Sequence, residues 1–153
     1  MSEPTVWQRI EHDLVAAIKA KDAETLSTLR MLKAALLETK TRKAKAAELS
    51  TEEQIDILQR YVKKRRETIE ELKKAGREDL VAKEDREIQV TQRYLPAGLE
   101  DDALRAIVTE TVARLGAKGP KDMGKVIGAV MGQVKGRAEG AQVSRMVKET
   151  LGG

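Results

Sequence analysis

Aliphatic residues return every three or four positions through most of this chain, and little interrupts them. Val6, Ile10, Leu14 and Ile18 form one such row, which Val15 widens; Leu26, Leu29, Leu32 and Leu36 form a second. Ile55, Leu58, Val62, Ile69 and Leu72 follow in near-heptad spacing, with Arg65 standing where one apolar residue is missing. Val81, Ile88 and Leu95 continue seven apart. A period near 3.6 places these residues on one side of a helix, whereas a half-buried strand would alternate. Only three prolines occur, Pro4, Pro96 and Pro120. Pro4 suits a first helical turn, because its missing N–H has no partner there anyway. The chain reads as all-α.

The core must be aliphatic. Aromatic residues make up 2% of the 153 residues (Trp7, Tyr61 and Tyr94, with no Phe), while 41% are hydrophobic and 35% charged. Long helices with narrow apolar stripes predict an elongated N-terminal helical bundle or hairpin over residues 1–95. Its first helix is expected from Pro4 to Ala20. Asp22 is a plausible cap for the second, which fades into the polar run Lys40–Lys45. Ser50-Thr-Glu-Glu53 has the form of a capping box before the third, and Gly76 is a natural stop after it. The fourth is expected from Glu78 to Tyr94.

Leu95-Pro96-Ala97-Gly98 is the clearest break, since proline disfavours helix in the residue before it. Residues 96–153 are expected to form a small three-helix C-terminal domain. Glu100-Asp101-Asp102 sets carboxylates at the positive end of a helix carrying Leu104, Ile107, Val108, Val112 and Leu115, which stops at Gly116. A second helix starts near Pro120 with Met123, Val126, Ile127, Val130 and Met131. After a turn over 134–140, a third carries Val143, Met146, Val147 and Leu151.

The residues give little purchase for catalysis. Without cysteine there is no disulfide, thiolate ligand or thiol nucleophile. His12, the only histidine, sits between Glu11 and Asp13 and reads as a solvated residue. The carboxylate pairs Glu52-Glu53, Glu70-Glu71 and Glu84-Asp85 are neighbours on helices and point about 100° apart, so they form no dyad. No Gly-Lys-Ser/Thr loop follows a strand. No catalytic residue, metal site or cofactor is expected. With no signal peptide at the N-terminus and no apolar run near the roughly 20 residues that span a bilayer, a cytoplasmic protein without membrane contact is expected.

Charge is more informative. The net charge is only +4, but positions 117–148 carry seven cations (Lys118, Lys121, Lys125, Lys135, Arg137, Arg145 and Lys148) against Asp122 and Glu139. Such a surface suits phosphates, although lysine and arginine also populate ordinary helix surfaces. Gly124, Gly128 and Gly132 recur every four residues and make a strip without side chains. Each glycine costs a helix interior up to about 1 kcal/mol relative to alanine. Close approach of a neighbouring helix is the favoured reason. The alternative is close approach of a ligand backbone, with Lys121 and Lys125 flanking the strip. Lys135-Gly136-Arg137 then sets two cations in a turn before a helix start, which suits a phosphate.

Met123-Gly-Lys-Val-Ile-Gly-Ala-Val-Met131, Lys135-Gly-Arg-Ala138, Val143 and Leu151 resemble the C-terminal tail of the B subunit of the glutamyl-tRNA(Gln)/aspartyl-tRNA(Asn) amidotransferase. The whole chain resembles the stand-alone YqeY family, which shares that tail. Leu26-Ser-Thr-Leu-Arg-Met-Leu-Lys-Ala-Ala35, Gly76-Arg-Glu-Asp-Leu80 and Tyr94-Leu-Pro96 carry that likeness. The resemblance implies an RNA-holding appendage that contacts the outer corner of tRNA, without the amidation domains. Lys125, Lys135, Gly136 and Arg137 fall on the tail motif; Lys121 and Lys148 join them as RNA-contact candidates by charge. Glu139 departs from the usual Asp or Asn and is a poorer N-cap. The expected partner is tRNA or another structured RNA. Two alternatives stand beside it. One is a protein-interaction adaptor working through the N-terminal helices; the other is an accessory subunit of a glutamine-dependent amidotransferase.

Overall fold

The computed structural model describes residues 3–43, 47–134 and 136–152. All regular structure among them is helical: α1 (Val6–Ala20), α2 (Ala23–Arg42), α3 (Thr51–Lys74), α4 (Val81–Gln92), α5 (Asp101–Leu115), α6 (Met123–Val134) and α7 (Gly140–Leu151). Short 3₁₀ turns precede α4 (Glu78–Leu80) and α6 (Pro120–Asp122). The chain separates into two compact units, Met1–Leu95 and Pro96–Gly153.

In the N-terminal unit α1 pairs with α2 and α3 with α4, and α2 also packs on both α3 and α4. The core is aliphatic, with Ile10, Leu29, Leu32, Leu36 and Leu58 sealed from solvent. Gln54 is buried among them with both amide atoms paired. Its Oε1 accepts from the Trp7 amide at 3.0 Å, and its Nε2 donates to the Leu49 carbonyl at 3.0 Å. A buried amide of this kind is stabilising only when both ends are satisfied.

Local chemistry sets the helix ends. The Ser50 hydroxyl accepts from the Glu53 amide, and the Glu53 carboxylate accepts from the Ser50 amide, each at 3.1 Å. That carboxylate also pairs with Lys43, whose bond leads in holding its pKa below the usual carboxylate value. Gly76 takes φ +72°, the left-handed turn that ends α3. Three expected boundaries of the N-terminal unit move, one of them the end of α4, which stops at Gln92 rather than Tyr94. α1 starts at Val6 rather than Pro4, because Thr5 and Gln8 form a capping box of their own. α4 starts at Val81, since Glu78–Leu80 closes as a 3₁₀ turn.

The stripes are also narrower than their periodicity implies. Val15 and Ile18, expected on the buried face of α1, are 52% and 53% exposed; Ala17 faces inward instead. In α3 the last buried residue is Val62, and Ile69 and Leu72 are only half-buried. Arg65 fills the gap in that stripe. Its guanidinium stacks 5.0 Å from the Tyr61 ring centroid and lies 3.5 and 3.7 Å from Glu84 and Glu87 of α4, while its Nε makes no hydrogen bond.

The chain leaves α4 through a polar staple. Tyr94 is buried, and its hydroxyl donates to Asp13 of α1 at 2.5 Å. Arg9 lies over the Tyr94 ring and donates to the Arg93 carbonyl at 2.9 Å. The tyrosine bond is the main reason the Asp13 carboxyl titrates below its ordinary value. Burial first, then the Asp13 carboxylate, push the Tyr94 hydroxyl upward. Burial likewise raises Tyr61 to about 12.

In the C-terminal unit α5, α6 and α7 enclose Leu104, Val108, Val126, Val130, Val134, Val143, Met146 and Val147. Thr111 is buried and bonded to the Ile107 carbonyl and to Gln133, which fastens α5 to α6. No helix among the described residues is long and apolar enough to cross a membrane.

These shifts carry a pH signature. A lowered Asp13 pKa adds stability that is present above its ordinary value of 3.8 and is lost as pH falls through its folded value. A raised tyrosine pKa adds stability that is present below pH 10 and, for Tyr61, is lost as pH rises toward about 12. Tyr94→Phe is expected to cost about 1–2 kcal/mol at neutral pH and to flatten the acid limb, read from urea midpoints between pH 2 and 7. An unchanged acid limb would show that Asp13 does not depend on Tyr94.

Candidate functional site

Of the candidate residues, Gly124, Lys125, Gly128 and Gly132 lie on α6, and Gly136 and Arg137 in the turn after it. Val126, Val130 and Val134 are at most 1% exposed and form the buried edge of α6. Gly124, Gly128 and Gly132 sit two positions earlier, a rotation of about 200°, so they occupy the opposite, solvent-facing side. A Cβ built on any of the three finds nothing within 4 Å. The favoured expectation, close packing of a neighbouring helix, is therefore not met within the C-terminal unit. The strip is an open shallow face, and the glycines make no close contact of their own.

Lys125 is exposed and borders this face. Lys121 is exposed in the 3₁₀ turn that leads into α6. Asp122 is half-buried and accepts from the Lys118 amide at 3.0 Å, which fixes the start of the turn and engages one of the region's two carboxylates. Lys135 lies outside the described residues.

Gly136 takes φ +86°, which lets the chain reverse between α6 and α7. Arg137 has a second role that its sequence position does not reveal. Its amide donates to the Val134 carbonyl at 2.8 Å, and its carbonyl accepts from the Leu99 amide at 2.8 Å. Its side-chain Nε donates to the Ala97 carbonyl at 3.1 Å. The basic turn is thus pinned to the chain segment that enters the unit, with Arg137 itself exposed. Ala138 behind it is buried.

α7 starts without a side-chain cap: Glu139 occupies the N-cap position and makes no capping bond, and the first turn holds no carboxylate. The positive end of the helix is therefore not offset there by a carboxylate of its own first turn. Lys148 is exposed in the last turn of α7. Arg145, not among the first candidates, is exposed on that outer side of α7, three residues away, and its helical spacing from buried Val143, Met146 and Val147 was the available signal. The structure thus groups Gly124, Lys125, Gly128 and Gly132 on one face; Arg137 lies in the following turn and Lys148 on another helix.

All three aromatic residues lie in the N-terminal unit, so the C-terminal unit offers no ring for base stacking. Among the described residues no group of three His, Asp or Glu side chains could hold a metal ion. The His12 side chain is 85% exposed, with Asp13 as its bonded neighbour.

The C-terminal unit is thus a three-helix unit with an open glycine face on α6, and the N-terminal unit is built from four helices. The chain belongs to the YqeY family: the profile described as Yqey-like protein matches residues 7–151. It is 33% identical over 94 residues to "Altered inheritance of mitochondria protein 41, mitochondrial" of Pyrenophora tritici-repentis, covering 60% of this chain and 50% of that protein. The protein of the same name from Eremothecium gossypii is 36% identical over 88 residues, covering 58% and 48%. An uncharacterized protein of Schizosaccharomyces pombe is 29% identical over 94 residues, covering 61% and 74%. The chain spans about half the length of the two similarly named relatives.

The glycine face makes a stability prediction. Gly128→Ala meets no neighbour and removes a helix-interior glycine, so it should raise stability by up to about 1 kcal/mol in chemical unfolding. A loss of stability would mean that the strip packs against something in the folded chain.

Proposed function

We propose that this protein is a non-catalytic holder of structured RNA, of the tRNA class, and that its C-terminal unit takes the sugar–phosphate backbone along the open face of α6. The observation that carries this reading is the orientation of Gly124, Gly128 and Gly132 toward solvent, opposite the valine edge, with no neighbour to account for them. A bare helical face allows a bulky ligand to approach closely, and Lys121 and Lys125 stand beside it to meet phosphate charge. Arg137 in the following turn adds a cation beside Gly136, and Lys135 and Lys148 belong to the same proposal. With no aromatic side chain in the unit, recognition rests on backbone shape rather than on stacked single-stranded bases.

No amide-transfer chemistry is assigned to the chain; ammonia transfer to a mischarged tRNA by the purified protein would overturn that part. We expect the protein in the cytoplasm, and the reading serves any compartment that holds tRNA. A second reading, a protein-interaction adaptor, draws on Val15 and Ile18 of α1 and Met31 and Leu37 of α2, all more than half exposed. It is favoured if protein purified at low salt carries a co-purifying protein and no 260 nm excess.

The test is labelled tRNA titrated into the full chain. Binding is expected to weaken roughly ten- to a hundredfold between 50 and 200 mM salt, as for a few phosphate contacts. Lys125→Glu should weaken it further at any salt. Gly128→Ala should weaken binding while stabilising the fold, a combination that general destabilisation does not produce. Equal tRNA affinity for Gly128→Ala and the parent would falsify the glycine face as the contact surface.

A further inference from the structure

Functional groups and structural constraints meet at three places: the shallow groove beside Trp7, the Arg65–Glu84–Glu87 cluster and the Arg137 turn. Only the last joins a candidate ligand cation to a segment with a mechanical position in the chain. Residues 97–99 follow directly on Pro96, where the chain passes from one unit to the next. Two bonds tie this segment to the turn, and a third closes the turn itself. Leu99 donates through its amide to the Arg137 carbonyl at 2.8 Å, the Arg137 amide closes the turn on Val134 at 2.8 Å, and Arg137 Nε reaches the Ala97 carbonyl at 3.1 Å. Gly98 lies between them against the Arg137 carbonyl: a Cβ added there would stand 3.7 Å from it. Side-chain packing does little to hold Ala97 and Gly98, since both are exposed and only Leu99 is packed against the core.

We propose that residues 97–99 are a strap fastened by Arg137, and that an RNA phosphate bound at the α6–α7 turn tightens it. This rests on the RNA-holding reading above. A guanidinium has five donors in a rigid plane. The bond from Nε to Ala97 uses one edge of that plane and fixes its direction, while the end-on pair of terminal nitrogens can take a phosphate in a bidentate fork. The two uses do not compete. A phosphate held end-on restricts the side chain that also holds Ala97, so the Nε bond is populated more of the time. By linkage, a strap already closed presents the guanidinium ready-oriented and makes phosphate binding tighter by the same factor. Arg137 is in this sense a ligand cation and a positioning residue at once. Lysine would keep the charge but could not bond Ala97 and fork a phosphate in this geometry. The outcome is that RNA binding on one face of the C-terminal unit stiffens the first residues after Pro96.

The Leu99 amide is the reporter, because it points at the Arg137 carbonyl and not at ligand. Its hydrogen exchange, resolved by NMR on the full chain, is to be measured with and without saturating tRNA. Exchange is expected to slow roughly threefold on binding, in line with a modest gain in one exposed hydrogen bond. In Arg137→Lys, tRNA should bind more weakly and leave Leu99 exchange unchanged. tRNA binding that leaves Leu99 exchange unaltered in the parent, or that slows it equally in Arg137→Lys, overturns the coupling. In ligand-free Arg137→Met, Leu99 should exchange roughly threefold faster while the Val126 and Val130 amides keep their rates; an unchanged Leu99 rate overturns the strap itself. Faster exchange at all three would mean a loosened unit rather than a released strap, and would also count against it. Absence of any tRNA binding removes the coupling together with the RNA reading, while the ligand-free comparison still decides the strap.

Discussion

α6 is held in its unit along an edge of Val126, Val130 and Val134, each essentially sealed from solvent, with Met123, Ile127 and Met131 packed beside them. Every other property of the candidate surface depends on that edge. It decides that Gly124, Gly128 and Gly132 look outward and that Lys125 lies beside them. Apolar burial contributes about 25 cal/mol per Å², so three valines turned inward outweigh any tendency of α6 to rotate. The bond from Gln133 to buried Thr111 of α5 reinforces the same orientation. A helix locked by its apolar edge has no freedom to hide its glycines. Their cost in helix propensity is offset by burial on the far side of the same helix.

The N-terminal unit meets a different constraint. An aliphatic core made from narrow stripes leaves few side chains per helix to hold each pair, and polar groups fill the gaps. Gln54, the Tyr94–Asp13 bond and the Arg65–Glu84–Glu87 group each stand where an apolar side chain is missing or where a chain segment must be tied down. Arg65 is the costliest of the three, since its Nε is desolvated without a hydrogen bond. Stacking on Tyr61 and two nearby carboxylates oppose that cost.

What could be read from the chain before folding follows from range. The all-α class, the capping box at Ser50–Glu53 and the stops at Gly76 and Gly116 depend on neighbours within four residues, and they were legible. The Thr5–Gln8 box is equally local, and it sets the start of α1 at Val6, beyond the position where Pro4 alone would place it. Stripe width was not legible. Val15 and Ile18 fit the repeat of α1, yet exposure depends on how many helices surround α1, and only the fold decides that. The direction of the glycine strip is encoded locally: a two-residue offset from a valine column places glycine opposite the core. The Arg137–Ala97 bond links positions 40 residues apart and left no local trace.

The distribution of aromatic rings has one more consequence. Trp7 belongs to the N-terminal core, and both tyrosines lie in that unit as well. The C-terminal unit is therefore optically silent above 270 nm. Intrinsic fluorescence and near-ultraviolet dichroism follow the melting of one half of the molecule, while far-ultraviolet dichroism follows the helices of both. The gap between those two transitions measures how cooperatively the two units unfold, and a chain with a single tryptophan in one unit supplies that comparison without any added label.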